Sequence, residues 1–383
     1  MAKVLLVDTN FSSAPIYAEL CCLADEVHVV GGNPSDCLAK SSKYYWNLNY
    51  ADTEALLHLI EQQAFDYIVP GCTDRSYTSC SVVSKGRYPG VESEDVDHLL
   101  NNKLAFRSLA AQLDLPVPKL IEGTPDSCSW PLIVKPVDSF SGKGITVLAE
   151  VNQSRLVAAI ELARGASTSG HFLIEEFVAG GLYSHSAFLC KGKVSQDFIV
   201  QENCTANQFV VDTSRVILEP SVVVLETLRR SIETLAAALK LKDGLIHTQF
   251  IMSGERVWLI EITRRCPGDL YSQLIELSTG FSYVGNYVRP FLGLPMLDSE
   301  SVTHRTSIMR HTITTPSPQS FGYLKFNREL LIERWVSLSV VGDQLLRSPA
   351  GRIGIIFVKG NSEDDFDAFF DITCRRELYD IIE

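Results

Sequence analysis

In the first hundred residues, short apolar runs alternate with helical stretches, and this alternation constrains the fold more than any other feature. "KVLLVD" (3–8), "EVHVV" (26–30) and "FDYIVP" (65–70) read as buried strands, while "DTEALLHLIEQQ" (52–63) has helical spacing. Strands separated by helices imply a parallel sheet with crossover helices on its faces. A dinucleotide site on such a sheet needs a Gly-rich turn after the first strand. Here that turn is "DTNFSSAP", without a single Gly. The region is therefore expected to serve as scaffold and substrate-facing wall, and an oxidoreductase reading is disfavoured. Asp74 and Arg75 in "PGCTDRSY" (70–77) follow a strand's carboxyl end, where open α/β sheets place ligands. An ordinary βα loop accounts for them more simply.

At 383 residues the chain is too long for one small core and suggests two or three domains. Its net charge of −12 argues against a general nucleic-acid binder, which needs clustered positive charge. The opening "MAKVLLVDTN" is too short in apolar residues for a signal peptide, and no run approaches the ~18 needed to cross a bilayer. The expectation is a cytoplasmic protein with no membrane partner. Ten Cys without a CxxC pair read as reduced, mainly core residues, and the eight His show no zinc-binding spacing.

Beyond the first unit, "NNKLAFRSLAAQLDLPVPK" (101–119) reads as a helix ended by Pro116 and Pro118. Strands with Gly-rich turns follow to about 200, with one helix near 152–164. Residues 220–241 form the clearest helix, with Pro220 in its first turn and apolar residues recurring at three and four. Strands at 244–251 and 256–262 are joined by "MSGER", and "GRIGIIFVKG" (351–360) reads as a buried strand. The expected division is 1–100, 101–195 and 196–383.

Three segments carry chemistry. In "WPLIVKPVDSFSGKGITVL" (130–148) a strand ends at Lys135, then a loop holds Ser139, Ser141, Gly142, Lys143 and Gly144. Backbone N–H groups in such a loop, beside two Lys, suit a phosphate, although a plain hairpin loop explains the composition equally well. It is not a P-loop, because the spacing is wrong. In "HFLIEEFVAGG" (171–181) a strand runs through Glu175, Glu176, Phe177 and Val178 to two Gly, a hinge able to present backbone groups to a purine edge. A solvated acidic turn is the plainer alternative. In the third segment, pairing of 244–251 with 256–262 brings Gln249 near Glu261, with Thr263 on the same face. Three oxygen-bearing side chains suit a hard cation such as Mg²⁺. Arg265, just beyond, can offset charge on a transferring phosphoryl group. His247 is placed to share that face or to serve as a hydrogen-bonded structural residue. Arg310 and His311 could bind a substrate carboxylate.

The order of these segments, from a helix Lys (Lys103) through Lys135 and its loop to the "IEEFVAGG" hinge and the "QF…LIEITRR" hairpin, resembles the ATP-grasp superfamily. That superfamily includes carbamoyl-phosphate synthetase, biotin carboxylase, D-alanine–D-alanine ligase and the L-amino-acid ligases. The resemblance covers roughly residues 1–300, and the tail resembles that of the stand-alone amino-acid ligases. It implies an α/β Rossmann-like N-terminal domain followed by a two-lobed ATP-grasp fold. It further implies that Lys103 and Lys135 contact the α- and β-phosphates while the loop 138–144 closes over them. Glu175 would meet the adenine amino group, and the backbone of Phe177 and Val178 the rest of its polar edge. Gln249, Glu261 and Thr263 would hold Mg²⁺ (or Mn²⁺), and Arg265 would be the catalytic cation. The cofactor would be ATP, the substrates a small-molecule carboxylate and an amine, and a homodimer the common assembly among relatives.

Three positions depart from the pattern. Leu182 stands where an acid commonly holds the ribose, Gln249 where Glu or Asp is common, and Thr263 where Asn is common. Two functions follow from this: an ADP-forming ligase, or a weakened descendant that binds nucleotide as a regulatory or partner subunit.

Overall fold

The structure, a computed structural model, describes residues 2–123, 130–139, 142–297, 305–360 and 362–383. At its N-terminus β1 (Lys3–Val7), β2 (Glu26–Gly31), β3 (Tyr44–Asn47) and β4 (Tyr67–Pro70) form a wholly parallel sheet in the order β3-β2-β1-β4. Helices α1 (Ala14–Leu23), α2 (Cys37–Ser41) and α3 (Thr53–Gln63) make the connections. Helices cover both faces, so Val4, Leu5, Leu6 and Val7 are all buried and the strand reads as an unbroken apolar run. Strand β3 carries Tyr and Trp at the sheet edge and left no comparable apolar signal in the sequence. Strand order reverses between β1 and β4, which opens a crevice at their carboxyl ends. The buried Asp8 braces it, accepting from the N–H groups of Thr9 and Cys72 and the Ser13 hydroxyl.

From this crevice α4 (Asp74–Ser84) departs, and α5 (Glu94–Asn101) and α6 (Lys103–Gln112) lead onward. The single helix expected over 101–119 is interrupted at both ends. Asn102 leaves helical geometry to cap α6, accepting from the Leu104 and Ala105 N–H groups, and Asp114 adopts a left-handed φ of 53° beyond Gln112. A three-stranded sheet follows, ordered β6-β5-β7 from β5 (Leu132–Pro136), β6 (Thr146–Leu148) and β7 (Phe172–Glu176), with α7 (Gln153–Ala166) packed on it.

The large lobe is an eight-stranded antiparallel sheet. It contains β8 (Gly181–Cys190), β9 (Lys193–Asn203), β10 (Thr213–Val216), β11 (Gly244–Ser253), β12 (Arg256–Thr263) and β13 (Ile308–Thr314). Two short pairs lie outside it: β14 (Gln319–Ser320) with β17 (Gln344–Leu345), and β15 (Tyr323–Phe326) with β19 (Tyr379–Ile382). With β16 (Leu331–Ser337) and β18 (Arg352–Lys359) the order is β12-β11-β8-β9-β10-β13-β18-β16. Because β8 belongs to this sheet, the change of lobe falls near residues 177–180, ahead of the expected 196. Helices α8 (Val222–Leu239) and α11 (Glu363–Cys374) pack on one face, and α9 (Tyr271–Thr279) and α10 (Tyr283–Val288) on the other. Among the described residues no helix is long and apolar enough to cross a membrane.

The N-terminal and large lobes are joined by a buried ion pair, Arg264 Nη2 to Glu92 Oε1 at 3.3 Å, both side chains under 5% exposed. Glu92 also accepts the Lys242 N–H, and Arg264 donates to the Lys242 carbonyl. Removing one partner strands the other charge away from water. Glu92→Gln should therefore destabilise the protein by about 3 kcal/mol or more, read as a lowered urea midpoint. A midpoint equal to that of the unsubstituted protein would contradict this coupling.

Candidate active site

Along a strand every second side chain shares a face. In the hairpin of β11 and β12 the register sets Gln249 opposite Glu261 and His247 opposite Thr263. All four therefore lie on the α9 side of the sheet, toward the N-terminal crevice. Glu261 is reached from above by the first residue of α6: Lys103 Nζ lies 2.9 Å from Glu261 Oε1 and donates to the Ser139 carbonyl at 3.0 Å. Burial pushes the Glu261 carboxyl up, but the Lys103 ammonium more than reverses this and leaves it below its ordinary value. The hairpin acid, the helix Lys and the phosphate-type loop, far apart in sequence, thus meet at one point.

The family comparison agrees with this geometry, since the ATP-grasp domain model matches residues 128–273. Those residues form an ATP-grasp domain. It is 25% identical over 342 residues to a formate-dependent phosphoribosylglycinamide formyltransferase of Pelobacter propionicus, covering 83% of this chain and 81% of that protein. A protein of the same name from Stutzerimonas stutzeri is 27% identical over 334 residues, with the same coverage. Among solved structures, an L-amino acid ligase from Bacillus licheniformis superposes with a TM-score of 0.80 at 17% identity, covering 100% of this chain and 98% of that one. A phosphoribosylglycinamide synthetase from Anaerococcus prevotii gives 0.75 at 15% identity, covering 100% and 99%. At these identities the structures establish the shared fold.

Within the ATP-grasp lobes the second Lys is held differently from the first. Lys135 Nζ lies 2.6 Å from Glu175 Oε2, and Arg107 Nε pairs with the other oxygen of the same carboxylate. Glu175 is wholly buried. Burial raises its carboxyl and the two cations bring it back below the ordinary range. Expected at the adenine amino group, Glu175 is engaged in this structure by Lys135 and Arg107. Glu176 accepts the Lys119 N–H at 3.1 Å, and the Phe177 N–H is donated to the Pro131 carbonyl at 2.9 Å. Of the expected pair, Phe177 thus has its N–H already engaged, and Val178 ends the hinge beside it. Leu182 stands in register with Ile251 and Glu202.

The phosphate-type loop is shaped by its Gly residues. Gly142 has a φ of +69°, and a side-chain carbon there would lie 2.3 Å from Phe209 Cβ, so the loop rests directly on the large lobe. Gly144 is likewise left-handed, and Lys143 is exposed. Ser141 lies outside the described residues. Asp138, ahead of the loop, accepts from Ser167, Thr168 and Ser169 and ties the loop's base to the end of α7.

The two consecutive arginines at the end of β12 point opposite ways. Arg264 is buried against Glu92, while Arg265 forks onto Asp74, Nε to Oδ1 at 2.7 Å and Nη2 to Oδ2 at 3.0 Å. The Thr263 hydroxyl donates to Asp74 Oδ1 at 3.3 Å. Asp74, which the sequence left as an ordinary loop residue, is therefore the contact through which the N-terminal crevice reaches the site. Arg107 also went unread, although it lies four residues after Lys103 on one helix face. Arg310 donates to the Asp269 carbonyl at 2.8 Å and the Ser214 hydroxyl at 2.9 Å, on the same side of the sheet as Glu261. His311 faces the other side and bonds Thr213 and the Tyr379 hydroxyl, so it belongs to the C-terminal core.

His247 bonds the Ser186 hydroxyl at 2.9 Å and packs edge-on against Tyr271. Burial, helped by the Arg265 guanidinium, pushes its imidazole down to about 3, and burial pushes His311 down to about 4. Both are neutral when folded and protonate near 6.5 when unfolded. Between pH 6.5 and about 4 the unfolded chain binds more protons, so stability rises with pH across that window and is lost on acidification. The loss approaches ~1.4 kcal/mol per pH unit for each histidine. Denaturant titrations between pH 7 and 4.5 should show a shallower acid loss for His247→Asn and His311→Asn than for the unsubstituted protein.

Proposed function

We propose that the protein is an ADP-forming ligase that activates a small carboxylate with ATP and passes the acyl group to an amine. The observation that carries this reading is the convergence of Lys103, Glu261, Gln249 and the Asp74-held Arg265 at one end of the hairpin. The oxygen donors Glu261, Gln249 and Thr263, with one anion among them, fit a hard cation that shares its coordination with ATP's phosphates. Mg²⁺ (or Mn²⁺) held by these three would supply neutralisation of phosphate charge.

The chain's own residues supply positioning and electrostatics. A carboxylate oxygen of the substrate attacks the γ-phosphorus, the bond to the bridging oxygen breaks, and ADP leaves. Lys103 and Lys135 face the phosphates, and the loop 138–144 shields them from water. The amine nitrogen then attacks the acyl carbon, phosphate departs with the bonding pair, and the nitrogen loses a proton. Arg265 offsets the negative charge that builds in both steps. Its fork onto Asp74 holds the guanidinium plane in place before the substrate arrives. The curated relatives are named for formate and phosphoribosylglycinamide; we place this chain's substrates in the same broad classes, a small carboxylate and an amine. A cytoplasmic homodimer is the expected assembly. The neutral residues Gln249, Thr263 and Leu182 favour a second reading, a nucleotide-binding subunit with little turnover.

Incubation with ATP, Mg²⁺ and pooled carboxylic and amino acids should release ADP and phosphate for at least one pair. Tight ATP binding with no release across a broad pool would favour the second reading. Glu261→Gln should abolish turnover. Asp74→Asn, which keeps the shape but frees Arg265, should lower kcat by roughly 10²-fold with little change in ATP affinity, measured by coupled ADP release and by calorimetry.

A further inference from the structure

Glu202 is a buried acid that the reaction outlined above does not use. It lies near the end of β9, between Gln201 and Asn203 and just after the apolar run Phe198–Val200, and it is 5% exposed. Gln249 Nε2 donates to its Oε2 at 2.9 Å, and the Ser184 hydroxyl also bonds it. Ser184 is fixed in turn by the Tyr271 hydroxyl at 2.8 Å.

We propose that Glu202 is a positioning residue that sets the amide of Gln249 so that its carbonyl oxygen, not its NH₂ group, faces the cation end of the site. The inference rests on the reading of Gln249 and Glu261 as that end. An amide has two dissimilar ends, and only the oxygen can hold a hard cation. The Nε2–Oε2 contact puts the NH₂ end of Gln249 against Glu202, the end that a carboxylate, which accepts hydrogen bonds and has none to give, selects. Sheet order then decides where the oxygen goes. Gln249 on β11 lies between Glu261 on β12 and, across β8, Glu202 on β9. With NH₂ committed toward β9, Oε1 is left on the β12 side, where Glu261 stands. Glu202 thereby restores one layer back the negative charge that Gln249 lacks as a ligand. A partner that merely filled space would leave the amide free to turn, and a turned amide presents N–H groups to a cation.

The test uses Mn²⁺ as the probe, with a non-hydrolysable ATP analogue, and reads bound Mn²⁺ by electron paramagnetic resonance. Glu202→Gln keeps size but bonds Gln249 in either orientation, so Mn²⁺ affinity should fall about 10–100-fold. In a Gln249→Ala background the same change should cost less than twofold, because the amide it orients is gone. The exchange Gln249→Glu with Glu202→Gln keeps one carboxylate facing one amide and should return Mn²⁺ affinity to that of the unsubstituted protein or better. Affinity within twofold for Glu202→Gln alone would overturn the proposal, as would an equal loss with and without Gln249. If the unsubstituted protein holds no Mn²⁺ with the nucleotide, the reading of the cation end itself falls, and this inference with it.

Discussion

The buried Glu175 carboxylate is the interaction on which the rest of the site depends. It sits at the end of β7 and receives Lys135 from β5 and Arg107 from α6, while Arg107 also donates to the Ile260 carbonyl of β12. One acid thus fastens the hinge, the small-lobe sheet, the linker helix and the metal-type hairpin together. A lone buried charge would cost several kcal/mol, and this carboxylate is tolerated because two cations and their geometry compensate it. Loss of Glu175 would strand two cations where water does not reach. Lys135 is therefore held in place by this carboxylate.

A second set of contacts extends this frame to the N-terminal domain. Arg264 and Arg265 occupy adjacent positions just beyond β12 and serve different purposes because their side chains meet acids of different elements. Arg264 spends its charge on Glu92 and holds two domains together. Arg265 keeps its charge beside the cleft, with Asp74 setting the plane of its guanidinium. The N-terminal sheet offers no Gly-rich nucleotide turn, yet Asp74, beyond its β4 end, supplies the acid that orients Arg265. That one carboxylate at the mouth of the β1–β4 crevice ties the N-terminal domain to the hairpin.

Much of the fold was legible because burial writes itself into spacing. The runs 3–8, 26–30 and 65–70 match β1, β2 and β4, and the hairpin 244–262 lies where its alternation put it. The strand at 351–360 and the long amphipathic helix were equally plain, for the same reason. Strand β3 and the break at Asn102 were not, since an edge strand and a capping residue carry little periodic signal. Within the site, residues that share one element or one hairpin were readable together: Gln249, Glu261 and Thr263 by alternation, Lys135 and its loop by adjacency. Asp74, Arg107 and Glu202 escaped because each acts on a residue of another element, at separations of 191, 68 and 47 positions.

The sequence alone determined the parallel first sheet and the antiparallel hairpin with its acid. These follow from local periodicity and from side-chain chemistry, which need no partner to be read. Only the tertiary structure decided how those side chains are employed. It buried Glu175 between two cations, gave Lys103 to Glu261, turned Arg264 inward and Arg265 toward Asp74, and set Glu202 behind Gln249. Charge and hydrogen-bond direction are satisfied pairwise across space, and a one-dimensional spacing does not specify which distant group completes each pair.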